Sequence, residues 1–365
     1  MATQLAPAPV PKLVPPLQTG LAKKKLVRRT AADHSQIIRR ALQIAFAVLN
    51  TVLGVQFYRW VRFYETAGVT PYVPRPAGVE GYLPIAGLMN MKAYLLTGYV
   101  PAIHPAGMFL IACFLTMSLL FRKAFCSWLC PVGTLSEALW KLGRKLLRGN
   151  LRLPRWADIP LRGLKYLLLA FFLYAVGTMS AEEIAGFLRS PYGLIADVKM
   201  LNFFRFAGTT AVVVIAALAG LSVLIQNFWC RYLCPYGALL GLASLASPLR
   251  IRREVEPCID CGKCAKACPA SLKVDQFIQI RSAECTACLE CVAVCPAEGA
   301  LYLSAPARRR VPAWAVAAGI AVLFLGTVGY AKAAGKWDTL LPRHIYMQLV
   351  PHADQAAHPM PGRPK

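Results

Sequence analysis

The sequence predicts a mainly α-helical protein that crosses a membrane several times and carries one small, cysteine-dense α+β segment. Three observations predict this. Hydrophobic residues make up 57% of the chain and charged residues only 16%, with a mean hydropathy of +0.47, whereas soluble domains average about 25% charged residues. Five apolar runs recur along the chain, at Ala41–Tyr58 and at 105–121, 164–180, 207–225 and 312–330. At ~1.5 Å rise per residue, each nearly spans a ~30 Å hydrocarbon layer. Twelve of the 13 cysteines fall into short, regular motifs rather than being scattered.

Residues 1–36 are rich in Pro, Ala, Lys and Arg and contain no apolar core of the signal-peptide kind. They are expected to form a disordered basic tail. The first span ends near Tyr58, Trp60, Phe63 and Tyr64, an aromatic belt of the kind found at membrane interfaces. Segment 81–100 holds Pro84, Asn90 and Lys92, which suit an interfacial or re-entrant piece better than a sixth span. The expected division is a tail at 1–36, a membrane domain at 37–250, a cysteine-rich module at 251–305, a last span at 306–335 and an external tail at 336–365.

Charge sets the orientation. Of the 41 Lys and Arg residues, 29 fall in segments 1–40, 122–165 and 227–311, and 12 in the alternate segments. The positive-inside rule therefore places the N-terminus and the twelve motif cysteines in the cytoplasm, with the C-terminal tail outside. The net charge of +24 is explained by basic blocks beside apolar runs and does not call for nucleic acid as a partner. The cytoplasmic side also keeps thiols reduced, so the cysteines read as metal ligands rather than disulfides.

The strongest chemical signal is CIDCGKCAKACP at 258–269 followed by CTACLECVAVCP at 285–296. Each is the C-x2-C-x2-C-x3-C-P run of bacterial dicluster ferredoxins, in which three close cysteines hold one 4Fe–4S cluster and the fourth reaches across to the other. Applied here, Cys258, Cys261, Cys264 and Cys295 hold cluster one, and Cys285, Cys288, Cys291 and Cys268 hold cluster two. Zinc would need only four cysteines per site, without two consecutive runs each closed by proline. Gly262 and Ala287 let the loops wrap closely, and Leu289 stands where the first run has Gly262.

A second motif occurs twice, as FCSWLCPVG at 125–133 and WCRYLCPYG at 229–237. Each follows an apolar run, and Pro84-x7-Lys92 and Pro191-x7-Lys199 precede the two copies at similar distances. Both runs travel in the same direction, so the sequence predicts a parallel internal repeat. Under such symmetry Cys126, Cys130, Cys230 and Cys234 converge, and four soft thiolates can hold a third iron–sulfur or other metal centre. A redox-active dithiol pair and structural packing are the competing readings.

Taken together, the two CxxxCP motifs and the two ferredoxin runs, in that order over about residues 80–303, resemble the membrane-bound ferredoxin-type proteins that include NosR, NapH and CcoG. The resemblance implies a polytopic inner-membrane 4Fe–4S protein that moves electrons for a respiratory or metalloenzyme-maturation system. No stretch before residue 41 resembles the flavin-binding domain of NosR-like proteins, and the tail is shorter than the immunoglobulin-like domain of CcoG-like ones. The chain is nearest to a NapH-like core.

His104, in AIHPAG at the outer mouth of the second run, is a candidate quinone ligand or proton acceptor, set against an ordinary packing role at a helix start. His344, Met347, His352, His358 and Met360 in the tail are soft-metal ligands in type but not in spacing. No Walker or G-x-G-x-x-G loop is present. The expected function is inner-membrane electron transfer between a quinone pool or cytoplasmic donor and a redox partner protein. The alternative is a maturation factor such as a cupric reductase.

Overall fold

A computed structural model describes residues 24, 26–151 and 153–359. The chain is mostly helical. Helix α1 (Ser35–Glu65) begins where the Asp33 carboxylate accepts the Ser35 amide and ends where Gly68, with φ of +91°, returns its amide to Phe63. Helices α2 (Pro84–Thr97) and α3 (Pro105–Phe121) both start with proline in the first turn, where its missing N–H costs nothing. Next come α4 (Ala124–Trp128), α5 (Pro131–Leu146) and α6 (Arg155–Thr178). The second half of the bundle holds α7 (Ala181–Arg189), α8 (Pro191–Leu194), α9 (Ala196–Arg205) and α10 (Thr209–Leu224), then a π-helical turn at Trp229–Leu233 and α11 (Pro235–Ala243).

Strand β1 (Arg250–Arg253) opens the cysteine-rich module and pairs antiparallel with β2 (Leu301–Ser304), Ile251 opposite Leu303. Between them lie α12 (Lys263–Ala267) and α13 (Glu290–Ala293). Helix α14 (Ala313–Ala333) packs on α3 and α1, and α15 (Arg343–Leu349) closes the chain.

Among the described residues, α1, α6 and α14 are long and apolar enough to cross a membrane. The other two expected spans are also helical but shorter. Helix α3 has 17 residues, and α10 has 16 and follows α9 across an 81° bend. Three helices pass by length, or four if the bent pair is one span. Apolar side chains such as Ile44, Val48, Val52 and Phe171 are exposed, as suits a lipid-facing surface.

One continuous core runs from Leu110 and Phe114 on α3 through Phe125 and Trp128 to Leu289 and Leu303 of the cysteine-rich module. The module is therefore seated on the helices rather than tethered beside them. At the end of the bundle away from the module, the distal end, Phe57 and Trp60 of α1 pack with Ile195, Val198 and Tyr346.

One expectation needs correction. The expected disordered tail lies largely outside the described residues, but its last part is held in place. Glu298 donates its amide to the Val27 carbonyl at 2.9 Å, and Arg29 donates to Pro296 at 2.9 Å. The described part of the expected external tail carries α15. Trp337, Tyr346 and Val350 are buried, because α15 supplies an apolar face that α1 lacks a partner for at its distal end.

Candidate redox centres

The two ferredoxin loops adopt the same backbone. Asp260 and Ala287 have φ of +55° and +49°, and Gly262 and Leu289 have φ of +65° and +60°. Gly262 and Leu289 then cap α12 and α13. Glycine takes this left-handed conformation freely, whereas a leucine pays about 1–2 kcal/mol. Leu289 is 4% exposed, so its burial offsets that cost.

Cys258, Cys261, Cys264 and Cys295 line one small cavity, and Cys268, Cys285, Cys288 and Cys291 line another. These are the two crossed sets that the sequence spacing predicts. The amides of Ala265, Leu272 and Glu290 point at the sulfurs of Cys264, Cys268 and Cys288. Burial pushes the Cys288 thiol up to about 12 and the Cys268 thiol up to about 11. Such thiols become thiolates at neutral pH by coordinating a cation. Among the described residues, no three His, Cys, Asp or Glu groups are spaced for a single metal ion. Each quartet lines a cavity rather than meeting at a point, which suits a cube whose corner irons hold the thiolates apart. The residues present fit 4Fe–4S clusters.

Cys126 and Cys130, from one motif, and Cys230 and Cys234, from the other, line a common cavity and are one another's charged neighbours. The construction is the same in both copies. The first cysteine sits in a short helical turn. The second is the N-cap of the next helix, whose first residue is Pro131 or Pro235. Gly133 donates its amide to Cys130 Sγ at 3.4 Å, and Gly237 donates to Cys234 Sγ at 3.2 Å. A helix N-terminus favours negative charge, so the second thiolate of each pair is stabilised by the α5 or α11 dipole. Gly133 is required by contact: a Cβ there would lie 2.3 Å from the Cys126 carbonyl oxygen.

The residues between these cysteines grip the ferredoxin loops. Ser127 Oγ donates to the Thr286 carbonyl at 2.6 Å and Trp128 Nε1 to the Ala287 carbonyl at 3.1 Å. Arg231 Nη1 donates to Ser271 Oγ at 3.0 Å. Thr286 and Ala287 lie between Cys285 and Cys288, and Ser271 follows Cys268, so both CxxxCP motifs hold loops of the second cysteine set. Cys261 of the first set is exposed, whereas Cys268, Cys285 and Cys291 are buried.

Charged side chains that the sequence reading did not single out complete the site. Arg39, 1% exposed, pairs with Glu137 and Glu290, tying α1, α5 and α13 together. Lys165 Nζ lies 2.6 Å from both Glu284 oxygens. Lys123, three residues before Cys126, is 4% exposed. Its signal in the sequence is a cation placed at the end of an apolar run directly before a cysteine motif.

The cavity that the CxxxCP quartet lines has a volume of about 1110 Å³ and reaches from Lys123 and Cys126 past Leu53, Tyr82 and Ile85 to Arg75 at the distal end. His104 does not line it. Its ring is 1% exposed, with Nε2 2.9 Å from the Gly193 carbonyl and Nδ1 3.4 Å from Glu80. The expected direct role at a quinone is corrected accordingly: both ring nitrogens are already engaged. His358 packs tilted against Phe187 and edge-on against Tyr192, Met360 lies outside the described residues, and among the described residues no group of His, Cys, Asp or Glu is spaced for a single metal ion. Cys113 is a core residue, 3% exposed. Lys92 and Lys199, matched in the sequence, both donate to backbone carbonyls, Lys92 to Gly177 at 2.6 Å and Lys199 to Ala353 at 2.8 Å.

Comparison with known proteins agrees with this chemistry. A family model described as a 4Fe–4S binding domain matches residues 103–151 and again 207–254, one match per CxxxCP unit. A 4Fe–4S dicluster domain model matches residues 250–296. The Escherichia coli K12 protein YccM, provisionally named for electron transport, is 48% identical over 88% of this chain and 91% of its own length. The ferredoxin-type protein NapH of the same organism is 27% identical over 57% of this chain and 70% of its own. The regulatory protein NosR of Pseudomonas aeruginosa is 31% identical over 50% and 25%. No solved structure matches. The chain belongs to the membrane-bound ferredoxin-type NapH/NosR family of 4Fe–4S electron-transfer proteins.

Proposed function

We propose that this protein carries electrons along three cysteine centres in a fixed order: the CxxxCP quartet, then the Cys268/Cys285/Cys288/Cys291 set, then the Cys258/Cys261/Cys264/Cys295 set. Bound 4Fe–4S clusters supply one-electron transfer at each. The observation that carries this reading is the Trp128–Ala287 hydrogen bond, which seats the first CxxxCP motif on the loop of the second set. Cys288 also lines the cavity of the quartet, and Cys264 and Cys291 are charged neighbours across the two ferredoxin sets. The exposed Cys261 marks the end at which a soluble redox partner exchanges electrons.

At the membrane end, the long apolar cavity takes an isoprenoid quinone. Its chain lies among Leu53, Ile85 and Leu110, and its ring is turned toward the quartet and Lys123. Supporting this are the cavity's size and its polar groups at the two ends, the usual form of a cofactor pocket. The basic bias supports a reading in which the centres lie on the cytoplasmic side of the inner membrane, with α1, α3, α6, α10 and α14 as five spans in two parallel repeats. The matched Lys92 and Lys199 contacts and the two like-built cysteine turns support the repeat.

Iron content tests the ordering at its root. Three clusters hold about 12 irons and two hold about 8. Purified protein should bind the larger number, and replacing Cys126, Cys130, Cys230 and Cys234 by alanine should remove about four irons while keeping the ferredoxin signals. Eight irons in both proteins would end the reading.

A further inference from the structure

Among the described residues, Lys123 differs from the other buried cations near the cysteine sets. Arg253, beside Cys258 at 3.5 Å, pairs with Asp260 at 2.9 Å. Arg39, whose charge reaches Cys288, pairs with Glu137 and Glu290. The Lys123 ammonium makes no ion pair or hydrogen bond among the described residues. It faces the shared cavity. Its charged neighbours are Cys126, Glu284, Cys234 and Cys230. A Cβ built on Gly237 would lie 3.5 Å from Lys123 Nζ and 3.5 Å from Cys234 Sγ, so ammonium and sulfur face the same point beside Gly237. Glu284, the one carboxylate in reach, already has both oxygens on Lys165 at 2.6 Å. A buried cation without a partner is costly. Its position among three thiols says what compensates it.

We propose that the Lys123 ammonium is the fixed counter-charge of the CxxxCP centre and raises that centre's reduction potential. The inference rests on the quartet holding a 4Fe–4S cluster. Net charge and hydrogen bonding around the sulfurs set the potential of such a centre, and a nearby positive charge favours the reduced, more negative state. Lys123 acts through the thiolates and is a positioning residue. Glu284 acts with the opposite sign: it is one residue from Cys285 and its charge also reaches Lys123.

The test is an EPR-monitored redox titration of the full-length protein in detergent, with iron quantitation. Lys123→Met should keep about 12 irons and shift the midpoint of the CxxxCP centre to a more negative potential, leaving the two ferredoxin signals unmoved. Lys123→Arg should stay close to the wild type, which a requirement for lysine's shape alone does not predict. Glu284→Gln should shift the midpoint to a more positive potential. A Lys123→Met midpoint equal to wild type, with iron intact, overturns the proposal, as does an arginine variant that shifts as far as methionine. If Lys123→Met loses iron, Glu284→Gln decides: a positive shift supports the counter-charge and an unmoved or negative one overturns it. Wild-type protein with only about 8 irons overturns the centre itself, a failure separate from that of Lys123.

Discussion

Trp128 donates its indole N–H to the carbonyl of Ala287 at 3.1 Å, and its ring is fully buried. That bond joins a residue lying between the cysteines of one motif to a residue lying between the cysteines of another. Trp128→Phe keeps most of the packing and removes the donor. An unsatisfied buried carbonyl costs about 1–3 kcal/mol, so thermal unfolding should occur at lower temperature. Iron content should hold, and electron passage between the quartet and the ferredoxin clusters, followed by stopped-flow absorbance, should slow.

Gly133→Ala should remove the CxxxCP centre alone. The added Cβ would meet the Cys126 carbonyl oxygen at 2.3 Å, a contact with backbone that cannot swing aside. Gly163→Ala, with open space around it, is the control. Iron quantitation should show a loss of about four irons in the first variant and none in the second.

The distal end is held by a buried charge cluster, and its pH dependence follows from that. Arg75 pairs with Asp197 at 2.7 Å and with Glu80 at 2.8 Å, and Thr339 donates to Glu80 at 2.7 Å. Burial alone would raise the Glu80 carboxyl, but Arg75 and His104 outweigh it and hold the group down at about 2. Burial opposes the His104 imidazolium, yet the hydrogen bond and charge of Glu80 raise it above its ordinary 6.5. The His104 contribution is therefore present below pH 6.5 and is lost as pH rises through its raised value. The Glu80 contribution is present above its ordinary 4.5 and is lost as pH falls toward 2. Melting in detergent should be highest between these limits. Glu80→Gln should cost about 3–5 kcal/mol and flatten the acid limb.

Filling the apolar cavity should separate quinone exchange from cluster chemistry. Leu53→Trp and Ile85→Trp place a large ring in the apolar wall of the cavity. Oxidation of the reduced protein by a water-soluble quinone analogue should slow by at least tenfold, with iron content and EPR signals unchanged. Equal rates in these variants and wild type would remove the cavity from the path.

The parts legible in the sequence were those with local signatures. The crossed cysteine sets follow from two identical spacings, and the break at Pro131 and Pro235 follows from proline's missing N–H. The five apolar runs all became helices, although two came out shorter than a full span. Long-range pairings left no such mark. Val27 and Arg29 bind the 296–298 backbone through main-chain groups that any sequence supplies, so a strap looked like a tail. Arg75, Glu80, Asp197 and Thr339 meet across as many as 264 residues, and nothing local in any of them announces the others. His104 was visible as an unusual residue, but its burial behind Glu80 and Gly193 was not. Lys123 is indistinguishable in the sequence from the other basic residues of segment 122–165, because the thiols it faces come from both halves of the chain.

The central claim is that electrons pass between quinone and the ferredoxin clusters through the CxxxCP quartet. Its most direct test is to reduce the full-length protein, mix it with a quinone analogue, and follow reoxidation of the ferredoxin EPR signals by rapid freezing. Wild-type signals should disappear quickly. In a variant with Cys126, Cys130, Cys230 and Cys234 all replaced by alanine, the same signals should persist at least a hundredfold longer, with the about 8 ferredoxin irons retained. Reoxidation at the wild-type rate in that variant would contradict the account.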